Sequence, residues 1–414
     1  MSEAIEREVA AWVDDNWDPD ATVAQWWQRL ADAGLSHPML PPEAGGRGYS
    51  RPEAQAVSRA LASKGVISPP TGLGTMLAAP TIATHGTPEQ IERFVPPILN
   101  GQQAWCQLFS EPGAGSDLAG LNTKADRDGD EFIVNGQKVW TSGGHIADMG
   151  MLIARTDPDA PKHKGISYFA IEMNQPGVDV RPLREMTGRA LFNEVFLTDA
   201  RVDAAAAIGG LGDGWRVANT TLMWERASLG TGSASMPQCA AGQIAGNLDR
   251  KCGDVVAKAS QARGGGVVGV GKSMFDQIVG IARQNGKIAD PVIRQRLVGL
   301  HSLLEINRLN ALRSKDANQR TGAEGNIGKL QMSEQYRQFR EVGLSVIGPD
   351  AMLMGRSSAT GGLIQEAAIF SPGPSIYGGT DQVQRNIIGE RVLGLPREPG
   401  PAADTPFREL PKNG

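Results

Sequence analysis

The apolar positions change period twice along the chain. Near the N-terminus they recur every three or four residues. Ala24 to Leu35 carries Trp26, Trp27, Leu30 and Ala31 on one side and Gly34 near its stop, which predicts an amphipathic helix. Pro41 to Gly48 is a Pro/Gly-rich loop, and Thr87-Pro88-Glu89-Gln90 opens another helix with a Thr N-cap, Pro at the first position and Gln where a capping box needs it. From about Gln107 the period falls towards two. Phe132-Ile133-Val134, Asn135-Gly136 and Gln137 to Trp140 predict a β-hairpin of strand, turn and strand. Gly165 to Met173 and Asn193 to Leu197 predict further short strands. After Gly214 the helical period returns. Met274, Phe275, Ile278, Ile281 and Ala282 are helically spaced, and Asp290-Pro291 starts a helix with a stripe of Ile293, Leu297, Leu300 and Leu304. Asn326 to Val346 predicts a long helix, and the Pro-rich tail after Leu395 is expected to be extended. The fold class is therefore α+β and multidomain. An N-terminal helical domain (1–106) precedes a middle β domain of barrel or sandwich type (107–213). A C-terminal helical domain resembling a four-helix bundle (214–395) and a Pro-rich tail (396–414) complete the chain.

With 414 residues, 40% of them hydrophobic, the chain can build two or three packed domains. A net charge of −4 gives no reason to expect nucleic acid or an anionic membrane as partner. Cys106, Cys239 and Cys252 are too few and too widely spaced for a disulfide framework or a zinc site, and no metal is expected. The charged N-terminus lacks a signal-peptide core, and no apolar run has the length of a membrane span, so a cytoplasmic protein is expected.

Candidate chemistry comes in clusters. There is no HExxH, no GxSxG and no GxGxxG opening a βαβ unit, which argues against a zinc protease, a serine hydrolase and a nicotinamide Rossmann domain. Gly266 to Ser273 reads GVVGVGKS and matches a phosphate loop. The polar stretch before it and the helical chain after it lack the strands such a loop needs, so an interhelical loop is the stronger reading and nucleotide binding at 266–273 the alternative. Ser110 to Asp117 (SEPGAGSD) supplies small residues and backbone N–H groups suited to a pyrophosphate or to a surface turn. In Lys138 to Gly144 (KVWTSGG) a Trp is followed by hydroxyls that could stack on and bond a flat ring, although a Trp on a hairpin is also a core residue. Ile376 to Arg385 places a double Gly and Thr380 before a helix, either an anion cradle or an interhelical turn.

Taken together and in this order, the motifs resemble the acyl-CoA dehydrogenase family over roughly Ala24 to Glu398, with YGGTDQVQRNIIGERVLG (Tyr377 to Gly394) similar to its C-terminal signature. The resemblance implies FAD as cofactor. Phe109 (backbone) and Ser110 would face the isoalloxazine pyrimidine edge, Trp140 would lie against the ring and Ser142 near N5. Gly115 and Ser116 would hold the pyrophosphate, and Arg283, Thr380 and Gln382 the adenine-dinucleotide portion. Ser116, Arg226 and Tyr377 would contact the acyl-CoA substrate. The resemblance also implies α,β-dehydrogenation of an acyl-CoA to a trans-2-enoyl-CoA, an electron-transfer flavoprotein as electron acceptor, and a tetramer.

The chain departs from many relatives at Gly378, where they carry the catalytic glutamate after the tyrosine. Another branch, including isovaleryl-type enzymes, carries the base on the first C-terminal-domain helix, and there the resemblance puts Glu225, directly before Arg226. The backbone N–H of Gly378 would still bond the thioester oxygen, where charge develops on enolisation. Arg283-Gln284-Asn285-Gly286 is shorter than the family's Arg-x-x-Phe-Gly segment, Ser345 stands where many relatives have Gln, Pro349 replaces a Gly, and the stretch from Arg226 to Arg283 is longer than usual. These departures leave room for a heterotetramer with a second dehydrogenase chain, or for a half-site subunit, beside the homotetramer.

Overall fold

The computed structural model describes residues 2–228, 236–261, 271–314, 321–358 and 360–411. Contacts divide the chain into two compact units. The first comprises Met1–Arg184, Ala190–Arg263 and Pro401–Gly414, and the second Glu185–Arg189 and Gly264–Gly400.

The first unit begins with helices α1 (Ser2–Asn16), α2 (Val23–Asp32), α3 (Arg51–Ser63), α4 (Ala79–His85) and α5 (Pro88–Leu99). Local chemistry sets their starts. Thr22 and Gln25 form a reciprocal capping box on α2, and Thr87 and Gln90 form one on α5. Trp26 and Trp27 are fully buried, and their indole N–H groups donate to the carbonyls of Ile67 and Ser68 at 3.0 and 2.8 Å. Buried indoles need such partners, which fixes α2 against the chain after α3.

The middle segment forms one seven-stranded sheet from β1 (Trp105–Leu108), β2 (Lys124–Asp128), β3 (Glu131–Ser142), β4 (Met149–Arg155), β5 (Ile166–Glu172), β6 (Val178–Leu183) and β7 (Phe192–Asp203). The strand order is β1-β4-β2-β3-β7-β6, with β5 on β4. The Asn135-Gly136 hairpin expected from the sequence is not there, because β3 runs through it as a single strand. Asn135 instead bridges a bulge in β7, exchanging bonds with Asp199 at 3.0 Å, and the register shifts between Val134 and Gly136. Gly136 is required because a Cβ there would lie 2.3 Å from Thr123 Oγ1. The actual tight turn is Gly129-Asp130, with Gly129 at φ 63°, between β2 and β3.

After the sheet come α6 (Gly214–Ser228) and α7 (Cys252–Gln261), both within the first unit. Residues 236–261 close over the N-terminal helices. Ala241, Leu248, Cys252 and Val255 share a core with Trp26, Trp27 and Leu30, and Ser68 N–H donates to Pro237 O at 2.9 Å. The contact division thus differs from the sequence boundary at 214, which assigns this stretch to the last domain. It differs again at the tail. Phe407 N–H donates to Ala160 O at 3.1 Å, and the Phe407 ring lies 3.6 Å from the Arg155 guanidinium.

The second unit holds α8 (Lys272–Gln284), α9 (Pro291–Arg313), α10 (Glu324–Ile347), α11 (Leu363–Phe370) and α12 (Asp381–Ile387). Asp290 caps α9 through Val292 and Ile293 N–H, as Asp-Pro chemistry predicts. Met274, Ile278, Leu297, Leu300, Phe339, Val342 and Ile364 form its core, with α10 touching α8, α9, α11 and α12. Gly266 to Val270 of the phosphate-loop match lie outside the described residues. Lys272 opens α8 and pairs with Asp276 at 3.0 Å, its side chain 84% exposed. No helix among the described residues is long and apolar enough to cross a membrane, and no group of three His, Cys, Asp or Glu among them could hold a metal ion.

Candidate active site

Two motifs distant in sequence meet on one side of the sheet. Val139 N–H donates to Ser110 O at 2.9 Å, and Lys138 Nζ donates to Phe109 O at 3.0 Å. The Phe109–Ser110 corner and the end of β3, with Trp140 and Ser142, are thereby joined.

A buried ion pair fastens the join. Lys138 Nζ lies 2.8 Å from Glu111 Oε1, with the two side chains 0% and 7% exposed. The Glu111 carboxylate also accepts from Asn122 N–H at 2.7 Å and Thr123 N–H at 2.9 Å. Burial alone would raise the Glu111 carboxyl, but the Lys138 ammonium and these donors outweigh it and hold it below the usual range. Burial pulls Lys138 down in turn, opposed by Glu111. Sequence reading missed Glu111 and Lys138 as a pair. A Lys between the apolar positions of a strand was the available signal. Beyond Glu111 the loop turns back on itself, Glu111 and Ala114 exchanging backbone bonds at 3.1 Å. Gly113, Gly115 and Ser116 are exposed, and a Cβ on either glycine would meet no atom within 4 Å.

Trp140 takes a left-handed backbone, φ 62°, at a bulge where Val139 and Trp140 oppose Glu194 alone. That conformation is unfavourable for a bulky residue. Its effect is to turn the indole out. The ring is 59% exposed and meets only the edge of Phe192, at 5.8 Å, among the aromatic contacts described. Next to it, Thr141 Oγ1 and Asn193 Oδ1 are buried without partners, while Asn193 Nδ2 donates to Thr141 O at 3.0 Å. Ser142 is exposed.

Helix α6 is tied to the same place. Phe109 stacks edge-on against Tyr168 at 6.0 Å, and Tyr168 OH lies 3.3 Å from Thr221 Oγ1. Thr221 is fully buried and also bonds Thr81 at 3.0 Å. Glu225 is one turn further along α6, on the same face as Thr221, and is half-buried. Trp224 beside it sets its ring against His37 at 6.4 Å. The side chain of Arg226 lies outside the described residues. Tyr168 and Thr221 carried no signal in the sequence, because the contact pairs a strand with a helix far along the chain.

The remaining expected residues lie in the second unit. Gly378 and Gly379 are both left-handed, at φ 63° and 84°, and Gly378 O accepts from Gln384 Nε2 at 2.9 Å. Tyr377 stands near Phe370 and beneath Lys329 Nζ, 5.6 Å from its ring centroid. The Thr380 hydroxyl is the N-cap of α12, accepting from Val383 N–H at 3.2 Å, and Gln382 is exposed. Arg283 is exposed in the last turn of α8. Ser345 accepts from Arg296 at 2.5 Å and donates to Glu341 O at 2.7 Å.

Comparison with known proteins matches three family models in order: the acyl-CoA dehydrogenase N-terminal domain over residues 1–102, the middle domain over 106–200 and the C-terminal domain over 260–393. The chain is 39% identical over 375 residues to acyl-CoA dehydrogenase IpdE1 of Mycobacterium tuberculosis, covering 90% of this chain and 88% of that one. It is 41% identical over 372 residues to acyl-CoA dehydrogenase FadE34 of the same organism, covering 89% of this chain but 46% of the longer relative. Among solved structures, the Tcur3481-Tcur3483 steroid ACAD superposes with a TM-score of 0.69 at 25% identity, covering 96% of this chain and 98% of that one. The ChsE4-ChsE5 complex from Mycobacterium tuberculosis gives a TM-score of 0.68 at 25% identity, with 96% and 98% covered. Motif order, fold and these relatives agree, and this chain belongs to the acyl-CoA dehydrogenase family of oxidoreductases.

Proposed function

We propose that the chain binds FAD and removes two hydrogens from the Cα–Cβ bond of an acyl-CoA thioester, giving a trans-2-enoyl-CoA, with Glu225 as base. The observation that carries this reading is the Phe109–Tyr168–Thr221 link, which sets the Glu225 face of α6 towards the corner joined to Trp140 and Ser142. The residues fit a flavin. Trp140 offers an exposed flat ring held out by its backbone, Ser142 an exposed hydroxyl, and the Gly113–Gly115 turn open space for a pyrophosphate. Ser110 and Phe109 would meet the pyrimidine edge, Gly115 and Ser116 the pyrophosphate, and Arg283, Thr380 and Gln382 the adenine-dinucleotide portion.

Bound FAD supplies a hydride acceptor for Cβ. The Glu225 carboxylate takes the proton from Cα, where half-burial limits competing water. The Gly378 N–H donates to the thioester oxygen, a role that needs no side chain. Ser116, Arg226 and Tyr377 would hold the CoA thioester. An electron-transfer flavoprotein is the proposed electron acceptor, and the cytoplasm the proposed location.

A homotetramer is the family's simplest assembly. A heterotetramer with a second dehydrogenase chain is favoured by one observation: the Ser345 hydroxyl is already engaged by Arg296 and Glu341, leaving it unsuited to bond a neighbour's dinucleotide. Both structural neighbours described above are named as two-chain proteins, and a steroid-bearing acyl group is accordingly the proposed substrate class.

The test is the absorbance of the protein, expressed alone and with a second dehydrogenase subunit, before and after acyl-CoA is added. Flavin bleaching is expected, and Glu225→Gln should slow it by a factor on the order of a hundred to ten thousand while enoyl-CoA still binds. Bleaching at the parent rate in Glu225→Gln removes Glu225 from the mechanism.

A further inference from the structure

Helix α10 turns a row of polar side chains towards the segment 374–384, which contains the Tyr377-Gly378-Gly379 turn. Asn326, Lys329, Ser333 and Arg337 follow one another at intervals of three and four residues and so share one face of the helix. The first three are buried. Asn326 Nδ2 donates to Gln384 Oε1 at 2.6 Å, and Gln384 Nε2 donates in turn to Gly378 O at 2.9 Å. Lys329 Nζ donates to Pro374 O, which also accepts from Ser333 Oγ at 3.0 Å. Arg337 reaches Ser375 Oγ at 2.9 Å and Asp381 Oδ2 at 3.0 Å.

The turn has little to hold it from within. Gly378 and Gly379 lack side chains, and both take a left-handed backbone that glycine enters and leaves at little cost. Ile376 and Tyr377 N–H donate to Gly373 O at 2.8 and 3.0 Å, whereas Gly378 N–H has no acceptor among the described residues. Its direction is set by what grips the chain on either side, Pro374 O before it and Gly378 O after it. Gly379 makes the second grip possible, since a Cβ there would lie 2.6 Å from Gln384 Nε2. Stability does not account for Lys329. Its side chain is buried, and Asp381, the carboxylate that acts on it, is paired with Arg337 instead. Burial pulls the ammonium down, with Asp381 opposing. An ammonium set against a carbonyl and the Tyr377 ring, with its countercharge engaged elsewhere, contributes less to stability than an apolar side chain of similar shape.

We propose that Lys329 and the Asn326–Gln384 relay are positioning residues for the reaction, holding the Gly378 N–H aimed at the thioester oxygen of the substrate. They act through the turn and not on the substrate. Lys329 fixes the start of the turn, and Gln384, itself oriented by Asn326, fixes the peptide that follows Gly378. The donor is thus set before substrate arrives and needs no reorganisation as charge develops on the thioester oxygen. The inference rests on the Gly378 N–H role in the proposed function and says what keeps that donor in place.

The test uses the flavin-loaded protein, with its second subunit if it needs one. The probes are chol-22-en-24-oyl-CoA and crotonoyl-CoA, each labelled with carbon-13 at the thioester carbonyl. Isotope-edited infrared difference spectra report the hydrogen bond at that carbonyl without turnover. In the parent, binding should move the band to lower frequency. Lys329→Met and Gln384→Met should each shrink that shift, and should slow flavin bleaching by the corresponding saturated thioesters about tenfold to a hundredfold, as a misaimed donor should. The apparent binding constant should change by less than about threefold, because contacts to the rest of the thioester are untouched. Lys329→Met should melt no lower than the parent, since it removes a buried ammonium. If it does not fold, Gln384→Met decides. Phe339→Leu, in the core beside the same helix, is the control, and should lower the melt while leaving the carbonyl shift alone. A carbonyl shift and bleaching rate at the parent level in both Met variants, or an equal loss of shift in Phe339→Leu, overturn this inference and leave the dehydrogenase reading intact. If neither labelled thioester shifts on the parent protein, the Gly378 N–H role fails and this inference falls with it.

Discussion

Replacing Lys138 by Met keeps most of the length of the side chain and removes the charge that neutralises Glu111. The two groups are 0% and 7% exposed, so the remaining carboxylate cannot recover its hydration. Breaking a buried pair by removing one partner is generally worth about 3–5 kcal/mol. Glu111 keeps its bonds from Asn122 and Thr123 N–H, which argues for the low end, about 3 kcal/mol. At about 2–4 °C per kcal/mol for a unit of this size, the first unfolding transition should fall by about 6–12 °C. The pH dependence carries a sign. In the parent, Glu111 has a depressed folded pKa, so its contribution is present above its unfolded value of about 4.3 and is lost as pH falls through the folded one. In Lys138→Met the burial effect is no longer opposed by the ammonium and raises the carboxyl. Its contribution is then present at low pH and lost as pH rises through the new folded value. The deficit should therefore be widest near neutral pH and narrow as pH approaches 4. Scanning calorimetry across that range measures it, with flavin content as a second readout, since Phe109 O loses its Lys138 donor. Lys138→Met combined with Glu111→Gln should recover part of the loss, because the amide carries no charge, while its single oxygen can accept from only one of the Asn122 and Thr123 N–H groups. A Lys138→Met transition within about 1 °C of the parent, or a double variant no better than the single, would refute the reasoning.

Three other outcomes are expected. Trp140→Gly should hold or slightly raise the first unfolding midpoint, because relief of a left-handed backbone, about 1–2 kcal/mol, offsets loss of a ring that is 59% exposed. Flavin retention on a desalting column should nonetheless fall, and full retention would count against Trp140 as a flavin contact. Lys272→Ala should leave flavin reduction unchanged, since the ammonium is exposed and paired with Asp276, and Lys272-dependent ATP hydrolysis would restore the phosphate-loop reading. Ending the chain after Gly400 removes Phe407 from the Arg155 guanidinium, whose pKa burial has lowered to about 10. With a partly desolvated cation–π contact worth about 2 kcal/mol, the first unit should melt about 4–8 °C lower, as read by circular dichroism, and an unchanged melt would mean the tail merely rests there.

Helix starts were readable because capping is local. Thr87 with Gln90, and Asp290 before Pro291, meet the backbone within one turn, and the structure forms both caps as expected. The Asn135-Gly136 hairpin failed for the opposite reason. The dipeptide favours a turn on local grounds, yet Thr123 crowds Gly136 and Asp199 engages Asn135, and both neighbours come from other segments of the chain. Gly129-Asp130, which makes the turn, has the same kind of local chemistry and joins two strands that pair directly, Asp128 opposite Glu131.

The sequence by itself determined the helical, β and helical order, the motif segments and the family, because periodicity and short motifs are properties of neighbouring residues. Through the family resemblance it also put forward Glu225 as the candidate base, in place of the glutamate that many relatives carry at the position of Gly378. Only the tertiary structure decided that Glu111 neutralises Lys138, that Tyr168 and Thr221 fix α6 to Phe109, and that the tail returns to Arg155. It also decided that Trp140 faces outward instead of joining the core. Each of these depends on which distant segment excludes water from which side chain, and burial of that kind arises only when the chain is folded.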